Sequence, residues 1–355
     1  MGGIEQYVRD LILGFGETTY AEDSFTLLVQ YQHVGYFGIL PAHMVYTSAD
    51  RSIIGRQFMR RGRLRKYWLR LHGVRPSNFD ILHFPLQAVR YQLKGVTTVV
   101  SIMDILHELH PDFFSAEELY ARRVAYPEAT RRADRIIAIS NYTAKSLTHY
   151  YKVPSKKIDV VYLAVAHRVK SHRSIDKKYL YYPAATWAHK NHIRLIQAFA
   201  KFHHRHPEYQ LHLSGARKNG FEAIQDSISL LGLKDSVTHH GYVSEAEQTK
   251  IFDEASAVVF PSLFEGFGIP VLEALERGKP VACSDLEVLR EVCGPAVTYF
   301  DPESVNAIAR AMSAIISNPI QSAQAIEATQ KNLLEYTVET MAQQTMMTYR
   351  RALTR

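Results

Sequence analysis

Short apolar runs alternate with longer segments of helical periodicity along most of the chain. A continuous apolar run of about four to eight residues, bounded by turn signals, is typical of a buried strand. Strands that alternate with helices favour an α/β architecture with parallel sheets. The pattern predicts twelve strands, at residues 25–30, 43–46, 79–84, 97–103, 134–139, 159–163, 179–182, 209–214, 236–239, 257–260, 280–283 and 296–300.

Several of the predicted helices begin with a recognisable capping signal. Ser115 with Glu118, and Ser244 with Glu247, have the spacing of a capping box. In that motif the first side chain bonds a backbone N–H of the helix, and the acidic side chain bonds back to the cap residue. Asp301 followed by Pro302 predicts the start of a later helix, and residues 337–353 form a last helical segment.

The chain divides near residue 170. Residues 166–174 read Ala-His-Arg-Val-Lys-Ser-His-Arg-Ser and lack apolar periodicity, which is typical of a linker. The length of 355 residues suits two domains. Parallel sheets bind ligands beyond the carboxyl ends of their strands, so we expect a ligand cleft between two α/β halves.

Composition indicates a globular protein, with 46% hydrophobic and 22% charged residues. No apolar run is long enough to span a bilayer. The start, Met-Gly-Gly-Ile-Glu-Gln, is neither a signal peptide nor a good myristoylation site. Two cysteines, Cys283 and Cys293, do not indicate a disulfide framework. We therefore expect a cytoplasmic protein.

The net charge of +7 is unevenly distributed. Residues 51–75 contain nine Arg and Lys residues and no acidic residue, with apolar residues between them. Both a solvated helix face and contact with anionic lipid or a lipid-diphosphate acceptor agree with this pattern. Nucleic-acid binding is less favoured, because no zinc-ligand spacing or RNA-binding signature accompanies the charge.

The most informative stretch lies between Phe260 and Pro280. It reads as a strand, a loop with two glycines, a short helix and a second strand. Pro270 suits the first position of that helix, and Gly278 suits its end. The first N–H groups of a helix have no partner within it, so a helix start can bind a phosphate. Gly266 and Gly268 would let the backbone approach such a ligand.

Two carboxylates flank this loop, Glu265 within it and Glu273 on the helix. A carboxylate accepts hydrogen bonds from hydroxyl groups, so a phosphate site between two carboxylates fits a sugar nucleotide. The helix dipole alone also favours an acidic residue near a helix start. The run Gly266-Phe267-Gly268 is not a dinucleotide fingerprint, because Val271 occupies the position of its third glycine.

The stretch as a whole closely resembles the donor site of retaining glycosyltransferases of family 4, with their Glu-x7-Glu motif. The resemblance covers nearly the whole chain and implies the GT-B fold, in which two Rossmann-like domains face each other across a cleft. It implies an acceptor domain at residues 1–170 and a sugar-nucleotide domain at 171–336. It also implies a C-terminal helix, within 337–355, that crosses back to the first domain.

The same resemblance assigns further site residues. Lys190 matches the family lysine that binds the donor diphosphate, but Ala185 stands where many members have an arginine. Met103 replaces a family histidine, and His107 resembles the histidine of a variant branch. We expect His107 in the cleft, bound to donor sugar or acceptor. The remaining donor-site matches lie in two loops: Gly241, Tyr242, Val243, Gly266, Phe267, Gly268 and Ile269.

Gly2 and Gly3 resemble the glycine loop that precedes the first helix of the family. In the family a first β-strand comes before this loop, whereas only Met1 precedes it here. We therefore expect the N-terminal sheet to lack its first strand. Loss of a central strand exposes two neighbouring strand edges, which makes it the main argument against activity.

The resemblance implies transfer of a hexose, mannose or glucose, from a UDP- or GDP-linked sugar to a glycan or lipid-linked acceptor, with retention. Surface polysaccharide or lipopolysaccharide synthesis at the inner face of the plasma membrane is the expected setting. Glu265, Lys190 and His107 are the expected catalytic residues, and no metal ion or other cofactor is expected. A binding subunit without turnover and a sugar-nucleotide epimerase on the same fold remain alternatives.

Overall fold

A computed structural model describes residues 3–16, 20, 22–28, 40, 44–47, 75–85, 87–165, 176–317, 333 and 335–354. Contacts divide the chain into two units. Unit 1 contains Met1–Leu109, Phe114–Ala164 and Thr337–Arg355, and unit 2 contains His110–Phe113 and Val165–Tyr336. The predicted domain limit near residue 170 lies outside the described residues and stays a prediction, as does the absence of a strand before Gly3.

Unit 1 is built on parallel strands. One sheet has the order β3-β4-β5-β6, and β1 pairs with β2 in a separate two-stranded sheet. The strands are β1 (Phe25–Leu28), β2 (Met44–Thr47), β3 (Ile81–Phe84), β4 (Thr97–Ile102), β5 (Arg135–Ala138) and β6 (Ile158–Val160). The helices are α1 (Gly3–Phe15), α2 (Leu106–Leu109), α3 (Ala116–Arg132) and α4 (Asn141–Tyr151).

Unit 2 has a single six-stranded parallel sheet of order β12-β11-β10-β7-β8-β9. Its strands are β7 (Tyr179–Pro183), β8 (Gln210–Ser214), β9 (Val237–His239), β10 (Ala257–Phe260), β11 (Val281–Ser284) and β12 (Thr298–Phe300). Its helices are α5 (His192–His203), α6 (Phe221–Leu230), α7 (Glu245–Glu254), α8 (Ile269–Glu276), α9 (Glu287–Cys293) and α10 (Val305–Ser317). The first strand, β7, lies in the middle, so the strand order reverses between β7 and β10. Such a reversal opens a crevice at the carboxyl ends of the strands.

The sequence predicted these elements well, since each of the twelve predicted strands overlaps an observed strand. The capping boxes at Ser115 and Ser244 are both formed. The predicted helix start at Asp301 is wrong by three residues. The Asp301 carboxylate instead accepts from the Glu303 N–H, and the Ser304 hydroxyl accepts from Ala307 N at the start of α10.

The C-terminal helix α11 (Val338–Leu353) belongs to unit 1 and packs on α1. A side chain at Gly14 of α1 would lie 2.5 Å from the carbonyl oxygen of Val338, so only glycine permits this contact. An ion-pair triad also fixes α11. Arg351 from α11 and Arg135 from β5 both bind Asp159, whose side chain is only 6% exposed.

A chain of hydrogen bonds links α1, β3, β4 and α11. His83 lies between the Ser101 hydroxyl at 2.8 Å and the Tyr349 hydroxyl at 2.7 Å. The Tyr7 hydroxyl lies 2.8 Å from the same Ser101 Oγ. Burial lowers the pKa of His83 to about 3, so this histidine is uncharged at neutral pH.

Candidate functional site

The candidate site lies in unit 2, in the loops that follow β7 and β10. These two strands are neighbours at the point where the strand order reverses. The loop after β7 ends in a 3₁₀ turn, Ala188–Lys190, and leads into α5. The loop after β10 leads into α8. Two helix starts and their positive dipole ends therefore follow the two central strands.

Lys190 and Glu265, one from each loop, form an ion pair. The Lys190 ammonium donates to Glu265 Oε1 at 2.6 Å, and the two side chains are 19% and 11% exposed. The ammonium also lies 5.8 Å from the ring centroid of Phe260. The sequence predicted both residues for the site but not that they bind each other.

Hydrogen bonds between the two loops hold this pair in place. The Leu263 N–H donates to the carbonyl of His189 at 2.8 Å. The Tyr182 hydroxyl donates to the carbonyl of Lys190 at 2.8 Å and lies 3.1 Å from Ser262 Oγ. The backbone that carries Lys190 is therefore fixed to both β7 and the β10 loop.

Asn191 joins three loops through its side-chain amide. Its backbone is left-handed, with φ of 61°, at the entry to α5. The amide nitrogen donates to the carbonyls of Pro261, at 2.9 Å, and Pro302, at 2.8 Å. Its oxygen accepts from Arg194 at 3.1 Å. Every polar atom of this amide therefore has a partner.

Gly268 is the cap of α8, and its φ of 113° is strained for any residue with a side chain. A Cβ there would also lie 2.5 Å from Leu289 Cδ2. Pro270 has no N–H, and the N–H groups of Val271 and Leu272 donate to the Gly268 carbonyl. The predicted phosphate site at this helix start therefore depends on the N–H groups of Gly268 and Ile269, in the loop that also carries Glu265.

Glu273, on α8, is half-buried. Burial raises the pKa of Tyr181 on the central strand, and the Glu273 carboxylate raises it further. The second carboxylate of the motif is therefore close enough to Tyr181 for its charge to act on that hydroxyl.

The other predicted donor-site residues differ in exposure. The Tyr242 side chain is 64% exposed, whereas the Phe267 ring is 3% exposed and packs edge-on against Tyr336. Both backbone groups of Gly241 are occupied: its N–H donates to His239 Nδ1 at 3.1 Å and its carbonyl accepts from Gly215. Ile269 begins α8 and is half-buried, and Val243 lies in the loop before α7.

A cluster of rings next to the ion pair was not predicted. His110 and Phe113 belong to unit 2 and surround the residues that precede Glu265 and Lys190. The His110 ring lies 5.9 Å from Phe264, and the Phe113 ring lies 5.8 Å from His189. Burial, with smaller contributions from Lys190 and His110, lowers the pKa of His189 to about 3. His189 therefore adds no positive charge at neutral pH.

In unit 1, His107 is completely buried. Its Nε2 lies 2.8 Å from the Tyr151 hydroxyl, and its ring contacts Tyr126 at 4.4 Å. Burial lowers the pKa of His107 to about 4. The expected exposure to a cleft is therefore not seen, and contact with a substrate stays a prediction. Gly3 begins α1, and Gly2 lies outside the described residues.

The described residues contain neither a cluster of metal ligands nor a membrane-spanning helix. No three His, Cys, Asp or Glu side chains in this part of the chain lie close enough together to hold a metal ion. No described helix has the length and apolar character that a membrane span requires. The basic residues 51–74 lie outside the described part.

Two family models match consecutive parts of the chain. The model "Glycosyltransferase Family 4" matches residues 1–169, and "Glycosyl transferases group 1" matches residues 166–332. Together they account for residues 1–332. The second match contains Lys190, Glu265 and Glu273.

Similar curated proteins include the O-antigen chain mannosyltransferase RfbU of Salmonella typhimurium, 28% identical over 67% of this chain and 65% of that protein. The O-antigen chain mannosyltransferase B of Escherichia coli is 25% identical over 64% of this chain and 63% of that protein. The matches thus span somewhat less than two thirds of these relatives.

Solved structures with the same fold cover nearly all of the chain. Anabaena HepE in complex with UDP-glucose has a TM-score of 0.76 at 17% identity, over 99% of this chain and 96% of that one. A glycosyltransferase from Rickettsia africae has a TM-score of 0.71 at 14% identity, over the same shares. From the two family models and this fold, the chain belongs to the group 1, family 4 glycosyltransferases, with their GT-B architecture.

Proposed function

We propose that this protein transfers a hexose, with mannose favoured, from a nucleoside-diphosphate sugar to a glycan or lipid-linked acceptor with retention of configuration. The names of the relatives, O-antigen chain mannosyltransferases, support the sugar and the setting in surface polysaccharide synthesis. Structural neighbours hold UDP or UDP-glucose, which supports UDP as a donor nucleotide, and GDP is a second candidate from the sequence resemblance.

The observation that carries the proposal is the Lys190–Glu265 ion pair in the loops of β7 and β10, beside the open start of α8. Lys190 and the helix start would stabilise the negative charge that grows on the leaving diphosphate. Glu265 would accept hydrogen bonds from hydroxyls of the donor sugar, and Glu273 from hydroxyls of the ribose.

The proposed reaction breaks the bond between the sugar's anomeric carbon and the diphosphate oxygen. A bond from that carbon to the acceptor oxygen forms on the same face, and the leaving diphosphate takes the acceptor's proton. The step needs no other reactant. We propose that it needs no divalent cation, so activity measured after treatment with EDTA should equal that of the untreated enzyme.

Thermal denaturation with nucleotides tests the donor site. Wild-type protein and Glu273→Gln would be heated with UDP, GDP, ADP and dTDP, alone and sugar-linked. Ligand at about 100 times its dissociation constant should stabilise the native state by about 2.7 kcal/mol. We expect one nucleotide to raise Tm and Glu273→Gln to weaken that effect. No shift with any nucleotide would overturn the proposal.

A binding subunit without turnover is the second candidate, because Lys190 is already neutralised by Glu265 and Ala185 supplies no further charge. Mass spectrometry of products formed from the stabilising sugar nucleotide separates the two. Transfer to an added acceptor, or slow hydrolysis of the donor, supports the enzyme. Tight binding with neither product supports the subunit.

We also propose attachment to an anionic membrane face through residues 51–75, where nine basic residues lie among apolar ones. Sedimentation with vesicles that contain phosphatidylglycerol tests this. Binding should be lost when five of these arginines are changed to glutamine, and binding to purely zwitterionic vesicles would contradict it.

A further inference from the structure

The described donor region is short of positive charge. Lys190 is paired with Glu265, and Glu273 adds a second carboxylate to the same loop and helix. Burial lowers the pKa of both His189 and His192 to about 3, so neither is charged. A helix start contributes only about half an elementary charge. A nucleoside diphosphate carries more negative charge than these groups can offset.

A third loop, which follows β8, is fused to the loop that carries Lys190. The Ala184 N–H donates to the carbonyl of Ser214 at 2.8 Å, and the Gly220 N–H donates to the carbonyl of Thr186 at 2.9 Å. The Thr186 hydroxyl accepts from the Lys218 N–H at 2.6 Å. The backbone of Lys218 is thus fixed beside the loop after β7.

Gly215 allows this close approach. Its φ is 140°, and a Cβ there would lie 2.5 Å from the carbonyl carbon of Ala184 and 2.6 Å from the nitrogen of Ala185. Both are backbone atoms, which cannot move aside as the end of a side chain can. The two loops therefore act as one rigid wall at the carboxyl ends of β7 and β8.

The Lys218 ammonium lies close to an aromatic ring. Its ammonium lies 5.1 Å from the ring centroid of Trp187, which is 42% exposed, and it forms no ion pair within the described part of the chain. The neighbouring Arg217 instead lies 4.4 Å from the ring of Phe221. A cation–π contact at an exposed site is worth about 0.5–1 kcal/mol. A charge-assisted bond to phosphate is stronger, so a diphosphate within reach would capture Lys218.

We propose that Lys218 is a substrate-binding residue that acts as the second cation of the donor site. Its ammonium moves away from the Trp187 ring and binds the diphosphate opposite Lys190. This rests on the proposed function, because it assumes that a nucleoside diphosphate occupies the loops after β7 and β10. Lys218 would supply the positive charge that Ala185 does not.

Calorimetric titration of the full-length protein tests the proposal. UDP, GDP, ADP and dTDP would be titrated first into wild type, and the one that binds would then be compared with its nucleoside. Lys218→Met removes the charge and keeps the length, and Lys218→Arg keeps the charge. Lys201→Met is the matched control, because Lys201 is exposed on α5 and donates to Asn306 at 2.8 Å.

We expect Lys218→Met to weaken diphosphate binding about tenfold or more, equivalent to about 1.4 kcal/mol. Binding of the nucleoside should change far less, and Lys218→Arg and Lys201→Met should resemble wild type. Equal diphosphate affinity in Lys218→Met and wild type would overturn the inference while leaving the proposed function intact. A wild-type protein that binds none of UDP, GDP, ADP and dTDP would overturn both.

Fluorescence gives a second readout. The chain has two tryptophans, Trp68 and Trp187, so Trp68→Phe leaves Trp187 as the only one. Departure of the ammonium from the ring should change Trp187 emission when the diphosphate binds. Addition of Lys218→Met should abolish that change, whereas an unaltered emission change in the double variant would contradict the proposed movement.

Discussion

At the residue scale, donor binding depends on which group the Lys190 ammonium contacts. That ammonium donates to Glu265 Oε1 at 2.6 Å. A diphosphate must therefore compete with a carboxylate for the same charge. Glu265 acts both as a competitor for Lys190 and, in the proposed function, as a ligand for the donor sugar.

Glu265→Gln separates these two effects. Removal of the negative charge frees the Lys190 ammonium, so UDP or GDP should bind several-fold, about 1 kcal/mol, more tightly than to wild type. Transfer should fall, because a neutral amide holds the sugar hydroxyls less strongly than a carboxylate does. Calorimetry measures the nucleotide affinity, and a transfer assay measures the rate of sugar transfer. Glu303→Gln, an exposed acid near the start of α10, is the control. Weaker nucleotide binding by Glu265→Gln would contradict the competition.

Gly215 gives a second prediction at this scale. Gly215→Ala should destabilise the protein by about 3 kcal/mol or more, because the cost of the strained φ adds to the cost of overpacking. Gly232 has a φ of +68°, and nothing lies within 4 Å of an added methyl group. Gly232→Ala should therefore lower the free energy of unfolding by only about 1 kcal/mol. Urea denaturation of both variants measures the difference. Equal losses would mean that the loops after β7 and β8 can separate freely.

At the scale of elements, α11 is attached to unit 1 by charge as well as by packing. Asp159 on β6 accepts from Arg135 and Arg351, and its side chain is 6% exposed while that of Arg351 is 54% exposed. The buried acid is therefore the critical member of the triad, because its loss leaves both arginines without a carboxylate, and only the Lys156 carbonyl still accepts from Arg135.

Asp159→Asn should lower the free energy of unfolding by about 3 kcal/mol, as expected when a buried ion pair loses one member. Arg351→Met should cost less than about 1 kcal/mol, since a half-exposed charge is screened by water. Chemical denaturation of the full-length protein, followed by circular dichroism, measures both. A larger loss in Arg351→Met than in Asp159→Asn would contradict this ranking.

The elements were predictable from the sequence because they depend on local pattern. Strands such as Ala257–Phe260 are continuous apolar runs between turn residues, and Ser115 and Ser244 cap helices through residues three positions away. The resemblance to family 4 was confirmed by the family models. The helix start at Asp301 was misplaced, since Ser304 offered an equally good cap nearer the apolar run.

Contacts between distant residues could not be predicted in this way. Lys190 and Glu265 are 75 residues apart, and nothing in either segment indicates that they meet. The burial of His107 and Phe267 depends on Tyr126, Tyr151 and Tyr336, which come from other elements. Tertiary packing alone decides whether such side chains face a ligand or the core.

At the scale of the whole molecule, both units contain histidines that folding keeps uncharged. Burial lowers the pKa to about 3 at His83, His189 and His192, and to about 4 at His107 and His212. In the unfolded chain each would titrate near its ordinary value of 6.5. Below about pH 6.5 the unfolded state therefore binds protons that the folded state does not bind.

Stability should consequently be highest above about pH 6.5 and should fall as the pH drops from there toward 4. Each such histidine contributes a slope of up to about 1.4 kcal/mol per pH unit. Urea denaturation between about pH 7.5 and 5, above the titration of most carboxylates, isolates this effect. His83→Gln should give a shallower slope than wild type. A stability that is constant over this range would contradict the prediction.

The three loops that meet at Asn191 need its side chain to remain an amide. Its nitrogen donates to two proline carbonyls, and both contacts need hydrogens that only an amide has. Deamidation, the slow loss of ammonia during ageing, would place a carboxylate against those carbonyls and remove both hydrogen bonds, while the Leu263–His189 and Tyr182–Lys190 bonds remain. Stored protein in which mass spectrometry finds aspartate at position 191 should therefore unfold at a lower temperature than intact protein.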